Sequence, residues 1–246
     1  MKKILILLLA GVLSSGSLFA QIHLFLEEQE VNLSDGKVTA WVFPATGSPE
    51  EVLDDMKEYL KDRSDLKLKK GGDNTLIAEK VSFPAVCMKR GDLIGYTRIT
   101  EQYYSMAIVF KLGYDISLST TEWPEEMEKL KHYVKSFMSY HYEQVYARRI
   151  KDLEKELKAE EKERDQTENK ISNLTNKVNN NSKKIGKETE TEKINGYEAE
   201  INTLEADMKL LMDTLPGLQA KIDQLNKQID QNKTESNTYL STIATF

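Results

Sequence analysis

Three histidines and one cysteine are the side chains that most directly offer chemistry. His132 and His141 lie nine residues apart, whereas a helical His-x-x-x-His metal site needs a spacing of four. His23 stands alone near the N-terminus. Cys87 lies in an apolar stretch, which is typical of a buried and unreactive thiol, and a single cysteine cannot form an intrachain disulfide. The sequence therefore predicts no metal site and no bound cofactor.

Motifs for nucleophilic or phosphate chemistry are equally sparse. Ser64 and Lys67 have the Ser-x-x-Lys spacing of penicillin-binding enzymes, but the companion motifs are missing from the sequence. The sequence also lacks a Gly-x-Ser-x-Gly elbow and a glycine-rich phosphate loop. We therefore predict no catalytic residues and a protein that is not an enzyme. A hydrolase in the first half of the chain is the less favoured alternative.

A group of tyrosines is the stronger candidate for binding. Tyrosine is favoured at protein interfaces, and one helical segment carries four of them together with Phe137. Five aromatic side chains on one helix cannot all face one core, so we predict a protein-binding surface formed by Tyr133, Tyr140, Tyr142 and Tyr146. The alternative is that they pack against a sheet and a returning C-terminal helix.

Thr214 is a candidate for modification. Asp213, Thr214 and Leu215 fit the Asp-Ser/Thr-apolar pattern of protein O-glycosylation in Bacteroidetes. The alternative is that Thr214 caps a helix that restarts at Pro216.

The elements that would position these residues fall into two halves. In the first half, alternating β-forming residues predict strands at 37–43, 75–83, 93–100 and 103–112, with Leu66 and Leu68 in a further short strand. Ser48, Pro49 and Glu51 form a capping box that starts a helix ending near residue 63. Another helix begins at Pro124. A small antiparallel sheet packed on helices is expected, with a head domain at residues 21–145.

The second half carries two apolar seams with alternating steps of three and four, which is the coiled-coil pattern. The first runs over residues 150–185 and is weakened by Glu160, Arg164, Thr167 and Asn181; the second runs over residues 194–229. We expect an antiparallel helical hairpin at residues 146–246, with a turn near 186–193 and a kink rather than a stop at Pro216. Paired residues would then have numbers that sum to about 379. A solvated single helix at 151–170 is the alternative.

The N-terminus and the overall charge limit where the protein acts. Lys2 and Lys3, an apolar run and small residues ending at Ala20 predict a signal peptide at residues 1–20; an uncleaved membrane anchor is the alternative. Loss of both lysines would change the formal charge from -6 to -8. An acidic chain does not favour nucleic acid, and no other segment is apolar enough to span a membrane. The expected location is the periplasm or the outside of the cell.

Two resemblances support this interpretation. The Lys-Lys start and the Ala20-Gln21 junction resemble Bacteroidetes export signals. The order of elements, with Phe43-Pro44 followed by Ser48-Pro49-Glu50-Glu51, resembles the TATA-binding-protein-like domains of unknown function in secreted Bacteroidetes proteins, over residues 36–145 at most. That resemblance implies a small curved sheet packed on helices. It implies no particular activity, and it does not imply DNA binding in an exported acidic chain.

The sequence thus predicts an α+β protein whose head carries a coiled-coil arm. We expect a non-enzymatic binding or scaffolding protein of the bacterial envelope, with an unidentified protein partner and a homo-oligomer formed through the coiled coil. The alternative is a periplasmic chaperone-like holder, similar in outline to Skp proteins, although Skp arms are basic and this arm is slightly acidic. Adaptor hairpins of the membrane-fusion type are less similar, because no strands follow this hairpin.

Overall fold

The computed structural model describes residues 24–34, 36–72, 74–99, 104–113 and 116–246. The predicted signal peptide and His23 lie outside the described residues. In chain order the elements are β1 (Glu27–Leu33), β2 (Gly36–Ala45), α1 (Pro49–Ser64), β3 (Lys69–Gly72), β4 (Thr75–Phe83), β5 (Cys87–Ile99), β6 (Tyr104–Gly113), β7 (Ile116–Ser117), α2 (Pro124–Ile185) and α3 (Thr191–Ala244). The predicted α+β class is confirmed.

The strands form one antiparallel sheet in the order β1-β2-β6-β5-β4-β3, with the short β7 paired to β6. The predicted strands at 37–43 and 75–83 are confirmed as β2 and β4, and the predicted hairpin at 93–112 is formed by β5 and β6. The predicted strand at Leu66 and Leu68 is wrong, because β3 begins at Lys69. Both leucines precede β3 and are buried in the core.

Helices α1 and α2 pack together on one face of the sheet. The capping box of α1 is confirmed: the Glu51 amide donates to Ser48 Oγ at 3.2 Å, and the Ser48 amide donates to Glu51 Oε2 at 2.7 Å. The indole nitrogen of Trp41 on β2 donates to the Met127 carbonyl on α2 at 3.0 Å. The main core lies between this face and the helices, with Phe43, Phe110 and Phe137 fully buried.

Helices α2 and α3 pack against each other along an antiparallel hairpin. Their cross-helix contacts join Tyr146 to Glu235, Glu160 to Lys221, Thr175 to Met208 and Lys184 to Tyr197. The residue numbers of these pairs sum to between 381 and 383, so the predicted pairing is correct to within one helical turn. The alternative of a single solvated helix at 151–170 is wrong, because Glu160 and Arg164 contact α3.

The ends of the hairpin differ slightly from the sequence-based boundaries. The turn between the helices occupies residues 186–190, which is shorter than the predicted 186–193. Helix α3 continues through Pro216 without a break, so Thr214 does not cap a restarting helix. The predicted kink at Pro216 stays a prediction. At the other end, α2 passes without interruption from the head into the hairpin, across the predicted domain boundary at residue 145.

Candidate functional site

The predicted tyrosine surface is mostly buried in the structure. Tyr142 is inaccessible to solvent, and its hydroxyl donates to the Pro44 carbonyl at 2.9 Å. Tyr146 is buried too, and its hydroxyl donates to Glu235 Oε2 at 3.3 Å. Burial raises the pKa of both phenols above the usual range. These two residues are therefore packing residues, and the prediction that they belong to an exposed binding surface is wrong.

Tyr133 and Tyr140 are only half-buried, and both surround Tyr59 of α1. Their ring centroids lie 5.4 and 5.3 Å from that of Tyr59. Tyr133 also meets Phe83 edge-to-face at 4.8 Å. Both rings, although partly exposed, belong to a packed aromatic cluster that joins α1 to α2. The alternative interpretation of the tyrosines, as packing residues, describes these contacts better.

A buried ionic cluster lies beside these rings. His141 Nδ1 is 2.7 Å from Asp55 Oδ2, and His141 Nε2 is 2.9 Å from the Thr46 carbonyl. Arg148 binds the same carboxylate from the solvent side, and its two terminal nitrogens donate hydrogen bonds to it at 2.7 and 2.9 Å. Asp55 and His141 are almost completely buried. The cluster thus connects α1, the end of β2 and α2.

The charges in this cluster compensate one another. Burial alone would raise the pKa of Asp55, but hydrogen bonds from His141 and Arg148 outweigh burial and lower it. The hydrogen bond to Asp55 raises the pKa of Arg148. Both ring nitrogens of His141 face oxygen atoms, so neither is free to accept a proton from a substrate. The cluster is built to hold the helices together, and its geometry offers no general base.

Asp55 and Arg148 were not among the residues predicted from the sequence. Asp55 lies three residues after Val52 and one before Met56, inside the apolar stripe of α1. Arg148 lies seven residues after His141, on the same side of α2. Two sequence features could have indicated this cluster. One is a carboxylate inside the apolar stripe of α1, and the other is a histidine and an arginine two turns apart on one side of α2.

The base of the hairpin is fixed to the head by the last turns of α3. Ile243 is fully buried in the main core. Lys135 Nζ donates to the Ala244 carbonyl at 2.9 Å, and the rings of Tyr142 and Tyr239 lie 5.2 Å apart. Both helices of the hairpin are therefore attached to the head at the same end.

The half of the hairpin nearer the tip buries fewer apolar side chains than the half nearer the head. Leu218, Ile222, Leu225 and Ile229 are buried in the half nearer the head, whereas the seam residues between 194 and 215 are only half-buried. Glu160 is one of the polar residues that interrupt the apolar seam of α2, and its Oε1 contacts Lys221 Nζ of α3 at 3.3 Å. Among the described residues, Arg164 Nε and Asn181 Nδ2 are buried without a hydrogen-bond partner.

The outer half of the hairpin exposes apolar side chains. Leu210 is 69% exposed and Met212 is 55% exposed. Leu210 borders a shallow groove together with Leu174 and Leu211, and Lys170, Lys177 and Asp207 also line this groove. Thr214 lies nearby and is exposed, with its hydroxyl donating to the Leu211 carbonyl at 2.7 Å. Its O-glycosylation stays a prediction.

The remaining candidates for chemistry are dispersed. His132 is exposed and contacts only its own helix through Glu128, and Cys87 is buried. In the part of the chain that the structure describes, no group of three or more His, Cys, Asp or Glu side chains could hold a metal ion. No helix among the described residues has an apolar stretch long enough to cross a lipid bilayer.

Fold and site together define a class of architecture: an α+β head from which a two-helix arm, residues 147–235, projects and returns. Comparisons with protein-family models, with curated proteins and with solved structures give no match. The resemblance of the head to TATA-binding-protein-like domains stays a prediction.

Proposed function

We propose that the protein is an exported, non-enzymatic binding or scaffolding protein of the bacterial envelope, in which the arm holds a protein partner at a distance from the head. The observation that supports this proposal most directly is the attachment of both arm helices to the head at one end, through Ile243, Lys135 and Tyr239. At a rise of about 1.5 Å per residue, the arm reaches roughly 60 Å from the head.

The chemistry of the surface is consistent with a protein partner. The arm presents exposed Leu210 and Met212 among charged residues. Leu210 adjoins Leu174 and Leu211 in one groove, and a grouped apolar surface is more typical of a protein contact than a single exposed residue is. The acidic net charge gives no basic face for nucleic acid. The signal-like N-terminus supports export to the periplasm or beyond.

The test is a shortened arm that keeps its seam in phase. Deleting residues 168–181 and 201–214 removes two heptads from each helix and leaves the head and the base of the arm unchanged. Both versions are expressed with an affinity tag in a bacterium that makes the protein naturally, and co-purifying envelope proteins are compared. We expect a partner that binds the intact protein to be lost with the shortened arm, while circular dichroism shows a folded head.

Three results would contradict the proposal. If every partner is kept by the shortened arm and lost by head substitutions, the arm is not the binding element. If the intact protein instead suppresses the aggregation of unfolded outer-membrane proteins at stoichiometric amounts, a chaperone-like holder replaces the scaffold. Turnover of a substrate by the purified protein would contradict its non-enzymatic nature.

A further inference from the structure

One flank of the arm lacks charge along its outermost row. In the heptad numbering that places seam residues at positions a and d, the c positions are uncharged along α3 and, beyond Asp152 at the base, along α2. All of these uncharged positions are exposed: Ala159, Gln166, Asn173, Asn180, Gly196, Thr203, Leu210, Gly217, Gln224 and Gln231. With 30% of the chain charged, a purely solvated row of ten positions is not expected to be free of charge.

The same flank carries the grooves of the arm. One is lined by Leu174, Leu210 and Leu211, and a second, more polar one continues along α2 past Ala159 and Gln166. Lys170 lines both, so the two grooves adjoin at this residue. The flank therefore offers a long shallow surface with Leu210 as its most exposed apolar side chain.

Charges at the neighbouring g positions follow a simple order. On α2, Glu156 and Glu163 lie in the half nearer the head, and Lys170 and Lys177 lie in the half nearer the tip. On α3 the order is opposite, because Lys221 lies nearer the head and Asp207 nearer the tip. Within residues 156–177 of α2 and 207–221 of α3, each row therefore changes sign at the middle of the arm; Arg149 at the base and Lys193 near the tip also occupy g positions and lie outside this order.

A row that changes sign at its middle matches an inverted copy of itself. Glu163 and Lys170 are equally distant from the midpoint of residues 166 and 167, and Lys221 and Asp207 are equally distant from Thr214. These two midpoints lie at the same height, since their numbers sum to about 380, close to the pairing of the two helices. A single two-fold axis across the arm at this height therefore brings opposite charges together on both helices.

We propose that a second copy of this chain docks on this flank, with the two arms antiparallel and crossing at Thr214 and Gln166. Opposite charges then face each other: Lys170 meets Glu163 of the other copy, and Asp207 meets its Lys221. Leu210 faces Gly217 of the other copy, where a Cβ added to the glycine would meet no atom of a neighbouring element within 4 Å, so the absent side chain leaves room. This deepens the proposed function and rests on it, because the arm is then a dimerisation element as well as a spacer.

The available area is sufficient for such a dimer. An arm about 60 Å long and two helices, or about 20 Å, wide presents about 1,200 Å² per copy. A stable interface of standard size buries about 800 Å² per partner. Partial contact along the flank is therefore enough.

The first test measures association of the purified protein by sedimentation velocity, using a host without O-glycosylation so that Thr214 is unmodified. Leu210→Lys removes the central apolar contact, and we expect the dimer dissociation constant to rise at least tenfold. Met212→Lys is the matched control, since Met212 is also exposed but lies on the opposite flank. A monomer at every accessible concentration, or equal weakening by both substitutions, overturns the proposal.

The second test fixes the orientation. Thr214→Cys places a thiol on the proposed axis, and the native Cys87 is buried and does not compete. Mild oxidation should give a disulfide-linked dimer with Thr214→Cys and none with Met212→Cys. A dimer sensitive to Leu210→Lys that does not cross-link through position 214 overturns the antiparallel arrangement. If dimerisation fails while the shortened arm still loses its partner, the inference fails and the proposed function stands.

Discussion

At the scale of single residues, Asp55 controls how the head meets the arm. Its carboxylate accepts two hydrogen bonds from Arg148, whose positive charge is partly buried, and one from the buried His141. Breaking a buried ion pair by removing one partner is more costly than the net value of the pair, because the other charge stays desolvated.

We therefore predict that Asp55→Asn lowers the free energy of unfolding by about 3 kcal/mol, measured by urea denaturation at neutral pH. Asp54→Asn is the matched control, because Asp54 neighbours it on α1 but is exposed, and should change stability by no more than about 0.5 kcal/mol. Equal effects of the two substitutions would show that the cluster does not stabilise the fold.

The contribution of Asp55 should also depend on pH. Its pKa is lower in the folded protein than its usual value of about 3.9, so the folded state favours the ionised carboxylate. The stabilisation is therefore complete above about pH 5 and is lost as the pH falls through the folded pKa. The difference in unfolding free energy between wild type and Asp55→Asn should shrink on going from pH 6 to pH 3. A constant difference would contradict the lowered pKa.

Residue-level prediction from sequence failed where several elements enclose one helix. The tyrosines of α2 were expected to be too many for a single core to bury. In the structure the sheet, α1 and α3 surround α2 on different sides. Tyr59 of α1 and Tyr239 of α3 therefore cover tyrosine rings of α2 that a single packing face could not cover. The partners of Asp55 were equally hidden, because they lie more than 80 residues away in the chain.

At the scale of elements, local chemistry was a reliable guide. The Ser48 capping box started α1 as expected, and the two seams placed both arm helices. The exceptions are the strand predicted at Leu66 and Leu68, the two-residue β7, and β1, which no pattern predicted. Three of the first four residues of β1 are glutamates, these four are largely exposed because β1 forms an edge of the sheet, and only Val31 is buried. An edge strand with a single buried residue does not show the alternation expected of a strand.

The last turn of α3 should contribute as much to the stability of the fold as any core element. Ile243 is fully buried, so Ile243→Ala should lower the free energy of unfolding by about 2–4 kcal/mol. Ser241→Ala on the exposed side of the same turn is the control and should be nearly neutral. Thermal or chemical unfolding measures both. If the two variants are equally stable, α3 does not pack on the head in solution.

At the scale of the whole molecule, the arm dominates the shape. A compact protein of this length would have a radius of gyration of about 18 Å. A head with an arm roughly 60 Å long should instead give about 28 Å for the monomer. Small-angle scattering extrapolated to zero concentration tests this. A value near that of a compact globule would mean that the arm folds back onto the head.

The architecture of the arm was predictable because a coiled coil is nearly one-dimensional. Once the turn is placed near residue 186, the residue numbers fix which layers meet, and Glu160 opposite Lys221 follows. The relation between arm and head was less predictable. It depends on where α3 ends, and on Ile243 and Tyr239 finding space beside Tyr142, which no periodicity encodes.

The attachment of both helix ends to the head has a mechanical consequence. A pull applied at the turn, residues 186–190, is shared by two helices loaded along their axes, so many seam layers resist it together. A pull applied at Phe246 would first extract Ile243 and then peel the helices apart one layer at a time. The same molecule should thus bear tension between its tip and its head, yet open at low force from its C-terminal end.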